Sequence, residues 1–482
     1  MFDLRPIGYV IGLLVAILGA TMLLPMIFDL AAGNPNWSAF LESSVLTGLV
    51  GGLVALACAN GVDERLSLQQ TFLLTSGVWL VLPVFGALPF VLGSPEARPV
   101  DAFFEAMSGL TTTGSTVFSG LDAMPNGALL WRSMMQWFGG IGIIVVAMAF
   151  LPELRVGGMQ IFRSEAFETS GKVLPRAAQI ASQISVIYVG LTLACALTYS
   201  AVGMTPFDAL NHALTTVATG GFSTHDASFA AFKGAPEYAA AIYMVLASLP
   251  FVRYVQLVAG SARPLFVDTQ IWTFLAMLAL LVTGMSVYRV LVNDALSEAA
   301  LRESVFNVTS IMSGTGYASA DYQLWGAFPV ALFFFIGLIG GCSGSTTCSI
   351  KVFRYQILFS AILVRIRSIY APHGMFQPRF NGRPVDEDVL SSVMSFFVFF
   401  VVTLGVTSVL LSATGLDATT ALSGAATALG NIGPGLGDQI GPAGNFAGLS
   451  DPAKWILCVA MLIGRLELLV VFAIFTVRFW RV

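Results

Sequence analysis

Charge is what this sequence has least of. Only 10% of its 482 residues are Asp, Glu, Lys or Arg, against about 25% in soluble domains. Hydrophobic residues make up 56%, and the mean hydropathy is +0.82. That composition excludes a water-soluble globular fold. The 23 Lys+Arg and 27 Asp+Glu nearly cancel to a formal −4, leaving no basic face to neutralise a row of phosphates, so nucleic acid is not expected as a partner. Histidine is scarce too: His212, His225 and His373 form no proton relay in the sequence. The five cysteines (Cys58, Cys195, Cys342, Cys348, Cys458) are odd in number and lie mostly in apolar runs. They make neither a disulfide framework nor a zinc pattern and read as small apolar packers. No GxxxxGKS/T occurs and no GxGxxG follows a strand, so no nucleotide or other organic cofactor is expected on this chain.

Long apolar runs are abundant instead. Stretches of about 20 residues, the length a helix needs to cross hydrocarbon, occur near 7–29, 39–60, 70–92, 129–151, 178–202, 238–260, 270–292, 327–364, 388–412 and 455–479. The reading is an all-α polytopic membrane protein of about ten spans, its N-terminal apolar run retained in the mature chain. Basic residues fall sixteen on the side of the termini and six on the other, with Arg465 set aside as intramembrane. The positive-inside rule then places both termini in the cytoplasm. The most basic cytoplasmic loops, 152–176 and 365–386, read as lipid-facing anchors or as a docking surface.

Four outward loops repeat one pattern: a short helix-compatible stretch, then a glycine-containing, hydroxyl-rich segment, then the next span. They read LTTTGST (110–116), TVATGGFST (216–224), MSGTGYAS (312–319) and LGNIGPGLG (429–437). Aligned on Gly114, Gly220, Gly316 and Gly433, they are separated by 106, 96 and 117 residues, which indicates one unit of span, half-helix, loop and span used four times. Two N-terminal spans (1–65) precede units 66–152, 153–264, 265–385 and 386–482. Irregular backbone at membrane depth must be buried in protein or line a water-filled cavity, so the four loops are expected to share an axis. Their inward carbonyls and the negative ends of the half-helix dipoles favour a cation there. The bland alternative is that these glycines only let helices pack closely.

The arrangement resembles the Trk/Ktr/HKT superfamily of cation transporters, and TTTGST, ATGGFST, SGTGY and GNIGPG look like the four filters of a TrkH-type potassium-uptake subunit. The resemblance implies potassium-lining carbonyls at Thr112, Thr113, Ala218, Thr219, Gly314, Thr315, Asn431 and Ile432, with the four aligned glycines just beyond them. In that superfamily a serine at the first filter glycine goes with sodium permeability, so Gly114 implies potassium as the transported ion. A single common glycine per repeat implies weaker discrimination against sodium and rubidium than a full channel signature gives. The resemblance also implies a bacterial inner-membrane location, a homodimer with one pore per subunit, and a cytosolic TrkA-type ring that binds nucleotide and docks on the basic loops.

The eighth span carries a polar, glycine-rich centre from Gly337 to Ser349, where glycine and serine weaken a helix. A break is expected there, and it matches the family's intramembrane gating loop, with Gly340, Gly341, Ser343, Gly344 and Ser345 as gate residues. A static kink is the alternative. Arg465, in MLIGRLELLVVF, reads as a helix-centre arginine facing a cavity or a partner; the resemblance implies the cavity, where it would repel a leaking cation, and the alternative is a local pair with Glu467. Arg253 reads equally as a second cavity charge or an interfacial anchor. Among Glu105, Asp208, His212 and Asp417, on or near the half-helices, Asp208 and Asp417 are expected to cap helix starts. Gly341 to Gly344 spell GxSG, but no histidine is placed to activate Ser343, so an enzyme is not expected. A proton- or sodium-coupled secondary transporter of a small solute is the nearer rival; such folds usually show two inverted repeats rather than four units in one orientation.

Overall fold

The computed structural model describes residues 3–61, 66–149, 174–293, 297–466 and 468–480. Nearly all of the basic loop 152–176, with Arg155, Arg163 and Lys172, and also Glu467, fall outside the described residues. Among the described residues the regular structure is helical, apart from a two-stranded antiparallel pair of β1 (Arg379–Phe380) with β2 (Arg383–Pro384) and an isolated parallel bridge of Ile339 with Ile350.

An N-terminal group comprises α1 (Arg5–Thr21), α2 (Leu23–Ala31) and α3 (Trp37–Cys58). Glycines bring α1 and α3 into backbone contact: a Cβ at Gly51 would lie 2.4 Å from the Ala16 amide nitrogen, and one at Gly12 2.6 Å from that of Ala55. Small residues allow such approach where lipid supplies no hydrophobic drive.

Four segments of alternating long and half-length helices follow. The first holds α4 (Leu68–Gly86), α5 (Leu88–Leu92), α6 (Pro99–Leu110) and α7 (Asn126–Ala149). The second holds α8 (Leu174–Ala201), α9 (Pro206–Val217), α10 (Ala235–Ala247), α11 (Phe251–Val258) and the short α12 (Arg263–Val267). The third holds α13 (Thr269–Asn293), α14 (Glu298–Met312), α15 (Ala327–Gly337) and α16 (Val352–Tyr370). The last holds α17 (Glu387–Ala413), α18 (Ala418–Gly430), α19 (Asp451–Arg465) and α20 (Leu468–Ile474).

The half-helices α6, α9, α14 and α18 run 12 to 15 residues, too short at 1.5 Å per residue to cross hydrocarbon. Their starts are specified locally. Pro99 and Pro206 occupy first-turn positions; Thr205 caps the Asp208 amide, Ser297 that of Ala300, and Asp417 those of Thr419 and Thr420. Asp417 is therefore the cap expected of it, whereas Asp208 sits inside the first turn of a helix capped by Thr205. Each half-helix packs on the long helices of its own segment and on the helix after the previous loop: α9 on α7, α14 on α10, α18 on α15, and α6 on α19. The contact pattern closes on itself.

Among the described residues, six helices are long and apolar enough to cross a membrane, or seven if the bent pair α10 and α11 counts as one. The other three of the ten expected spans correspond to α7, to α15 with α16, and to α19 with α20. Two features differ from expectation. The run 238–260 bends by 88° between α10 and α11, because Pro250 carries no amide hydrogen and the neighbouring polar groups are taken up from outside. The Phe251 amide donates to Gly344 O at 2.9 Å, and the Cys342 amide donates to Ser248 O at 3.0 Å. Arg465 is not at a helix centre either; it is the last residue of α19.

Gly51→Val sets a side chain against backbone that has nowhere to move. We expect it to lower the stability of the α1–α3 pair by about 1–3 kcal/mol, read as an earlier loss of the monodisperse peak when detergent-solubilised protein is heated. An unchanged profile would contradict the backbone contact.

Candidate functional site

The four half-helices end identically. After each comes a residue in the left-handed region, one further residue, and a glycine also at positive φ: Thr112 (50°) and Gly114 (85°), Thr219 (51°) and Gly221 (78°), Gly314 (71°) and Gly316 (81°), Asn431 (49°) and Gly433 (112°). The middle residues close the same hydrogen bond back into the helix: Thr113 N to Ser108 O (2.8 Å), Gly220 N to Thr215 O (2.8 Å), Thr315 N to Ser310 O (2.9 Å) and Ile432 N to Thr427 O (3.0 Å). This turn satisfies helix-terminal carbonyls and stops the helix abruptly.

The register of the second loop departs by one from the sequence alignment. Gly221, not Gly220, is equivalent to Gly114, Gly316 and Gly433, and Thr219 with Gly220 replace Ala218 with Thr219. Ala218 still belongs to the helix end, its amide on Leu214 O at 3.2 Å. With two adjacent glycines in TGGF, the sequence offers no reason to choose the second; backbone geometry does. A Cβ added at Gly114 would meet Gly220 O at 2.2 Å, at Gly221 Thr315 O at 1.9 Å, at Gly316 Ile432 O at 1.7 Å, and at Gly433 Thr113 O at 2.9 Å. Each loop thus presses its glycine on the next loop's carbonyl, and the sequence of contacts closes after four.

Different side chains tie each seam. Between loops one and two, buried Arg132 and Glu105 (1% and 0% exposed) pair at 2.8 Å. Glu105 accepts from the Thr116 hydroxyl at 2.8 Å and the Val117 amide at 2.9 Å, while Arg132 donates to Ser223 O at 2.9 Å and lies 4.2 Å from the Phe222 ring. One turn further along α7, Gln136 donates to Gly220 O at 2.6 Å and accepts from Phe222 N at 3.0 Å. Between two and three, the Tyr317 hydroxyl bonds Thr215 and also Thr216 (3.2 Å). Between three and four, Gln323 accepts from Gly437 N at 2.7 Å. Between four and one, Asn431 donates to Thr113 Oγ1 at 2.9 Å and Ser115 to Gly433 O at 2.8 Å. Arg132 and Gln136 were not singled out in the sequence, although two polar residues four apart in an apolar helix are a visible signal.

On one side of the ring lies a cavity of about 400 Å³ lined by Gly114, Gly221, Gly316 and Gly433. His225 and Asp226 stand at its wall. The His225 ring hydrogen-bonds Asp122 and holds that carboxyl below its ordinary range. His212 is buried instead, bonded to Asp208 O (2.9 Å) and Ser223 Oγ (3.0 Å).

On the other side, α15 stops and residues 338–351 cross under the loops as a buried turn before α16. Gly341 and Gly344 face the α10–α11 bend, Ser345 is bonded within this turn, and Ser343 is tied to α13. The Ser343 amide donates to Gln270 Oε1 (3.0 Å) and Ser345 Oγ to Cys342 O (2.6 Å). A Cβ at Gly340 would strike Cys348 O at 2.0 Å. Ser349 anchors the turn to the end of α18, its amide 3.0 Å from Gly430 O. Cys348, read from sequence as a packer, has a more specific place: its Sγ lies 3.9 Å from Thr112 Oγ1 and accepts from Arg465. Arg465 also donates to Gly139 O at 2.8 Å. Arg253 lies elsewhere, paired with Asp268 at 2.8 Å.

Glu105→Gln strands a buried guanidinium, and we expect a loss of about 3–5 kcal/mol. Glu105→Gln combined with Arg132→Gln should cost less than the sum of the two single changes. A double-mutant cycle on thermal unfolding in detergent measures this, and strict additivity would argue against the pair.

The TrkH family, described as a cation transport protein, matches residues 37–479. The chain is 41% identical to the Trk system potassium uptake protein TrkI of Halomonas elongata, over 99% of this chain and 97% of that one. It is 35% identical to the Trk system potassium uptake protein TrkH of Escherichia coli, over 99% of each. The crystal structure of the potassium transporter TrkH from Vibrio parahaemolyticus superimposes with a TM-score of 0.91 at 32% identity, covering 100% of both chains. On fold, motif and sequence together, the chain belongs to the TrkH family of cation transport proteins.

Proposed function

We propose that this chain takes up potassium across the bacterial cytoplasmic membrane, through one pore surrounded by four units of span, half-helix, loop and span (66–152, 153–264, 265–385, 386–482), with residues 1–65 as a peripheral pair of spans. The observation that carries this reading is the closed sequence of glycine-on-carbonyl contacts from Gly114 through Gly221 and Gly316 to Gly433. Such a ring supplies oxygens that replace the hydration shell of a cation, and four half-helix C-termini beside it add partial negative charge. In this reading the lining carbonyls belong to Thr112 and Thr113, Thr219 and Gly220, Gly314 and Thr315, and Asn431 and Ile432. The names of the relatives supply the ion.

The 400 Å³ cavity is the outer vestibule and the turn 338–351 is the gate, with Cys348 pressed toward Thr112 and the Arg465 charge raising the barrier to leak. The chain works as a homodimer with both termini cytoplasmic. A cytosolic TrkA-type ring docks on loops 152–176 and 365–386 and biases the gate by binding its open and closed forms unequally.

Expression with a cognate regulatory subunit in a bacterium lacking its own potassium uptake should restore growth at low potassium. Gly114→Ser must displace the Gly220 carbonyl, which its Cβ would meet at 2.2 Å, and the uptake that remains should lose preference for potassium over sodium. Rescue with selectivity unchanged would sink the filter assignment; no rescue by assembled protein would sink potassium uptake itself. Deleting Ser343–Ser345 should raise rubidium flux into liposomes several-fold in the absence of the regulatory subunit, and Arg465→Gln should raise it less. Equal flux in all three proteins would remove the gate.

A further inference from the structure

A second cavity, about 450 Å³, lies between α1, α4, α7 and α8. Leu14, Val78, Trp79, Leu110 and Gly142 are among its walls. Three hydroxyls also line it, and each is spent on its own helix: Thr21 on Leu18 O (2.7 Å), Thr75 on Thr71 O (2.7 Å) and Ser185 on Ala181 O (2.8 Å). The Gly139 carbonyl at its floor is taken by Arg465. A stable buried water needs two to four polar partners, which this lining does not offer, and an empty space this large forfeits dispersion contacts along its whole wall. Around it, Leu13, Ile17 and Leu80 are exposed (40%, 58% and 48%), so the medium at this level is hydrocarbon.

We propose that this cavity binds the acyl tail of a bilayer phospholipid. A tail is slender and wholly apolar, and the bilayer holds it at high local concentration beside the opening; a membrane-spanning helix of a second copy, about 10 Å across, is far bulkier than a space of about 450 Å³. The site reaches the pore. Trp79 is 5% exposed, and its ring lies 5.4 Å from the Arg465 guanidinium. Leu110 ends α6, and a Cβ at Gly139 would meet its carbonyl at 1.9 Å. A bound tail therefore buttresses Arg465 through Trp79 and the first half-helix through Leu110. This inference rests on membrane insertion and not on the filter reading.

The full chain is reconstituted in nanodiscs of phosphatidylglycerol with dibrominated tails and imaged by cryo-electron microscopy. The expected result is elongated, bromine-enhanced density against Trp79. Gly142→Phe, whose Cβ would meet only the Trp79 ring at 3.8 and 3.9 Å, should fill the space and abolish that density while the annular lipid signal persists. A cavity without bromine contrast in the wild type, or density continuous with a neighbouring copy, overturns the proposal whether or not the variant folds.

Discussion

Backbone that is neither helix nor sheet cannot face lipid, because nothing there bonds its amides and carbonyls. This chain has such backbone at the ends of four half-helices, at the α10–α11 bend and in the turn 338–351, and it resolves the difficulty by letting the breaks satisfy one another. The bend gives Ser248 O to Cys342 N and takes Gly344 O at Phe251 N; the turn then reaches across to Gly430 O through Ser349. None of these irregular segments is stable at membrane depth alone. The long helices around them are therefore the means by which a polar interior is kept away from hydrocarbon.

The backbone nearly repeats fourfold, but the side chains that hold it do not. A tetramer of identical chains would carry one clamp four times; a single chain is free to use an ion pair, a phenol, a glutamine and an asparagine. The ion pair of Arg132 and Glu105 is the most demanding of the four, since each buried charge depends on the other and on the hydrogen bonds around it. In the proposed filter, the unevenness extends to the oxygens. Gly220 O already accepts from Gln136 at 2.6 Å, so part of its capacity is engaged by an amide. A ring whose oxygens differ in strength holds a cation less symmetrically than four equal ones.

How much of this could be read from the sequence depends on how local the determinant is. The repeat was legible because glycine-rich loops after short apolar helices recur at nearly constant spacing. Asp417 was legible as a cap, since capping is decided within a few residues. The one-residue shift at Gly221 was not, because the choice between two adjacent glycines is made by the carbonyl of Thr315, in another segment of the chain. The bend at 248–250 was hidden for the same reason: its polar groups are satisfied by residues about a hundred positions away. Arg465 was noticed as a misplaced charge, but its position at a helix end and its bond to Cys348 are properties of the assembled interior.

That bond gives the proposed gate an energetic direction. The Arg465 guanidinium is 2% exposed, and its bonds run to neutral acceptors, Gly139 O and the Cys348 sulfur, with Nε unpartnered among the described residues. A buried arginine with no carboxylate partner among the described residues is costly at membrane depth, so each acceptor it retains matters. Moving the turn 338–351 away from Thr112 takes Cys348 with it and strips Arg465 of one acceptor unless water or another group arrives. The charge that, in the proposed gate, would repel a cation therefore also favours the closed position of the turn. Opening requires an agent that binds the open form more tightly by at least that difference, since equal binding to both forms shifts nothing. Water admitted to the pore meets part of the cost by solvating the guanidinium, which couples wetting of the conduit to release of the turn.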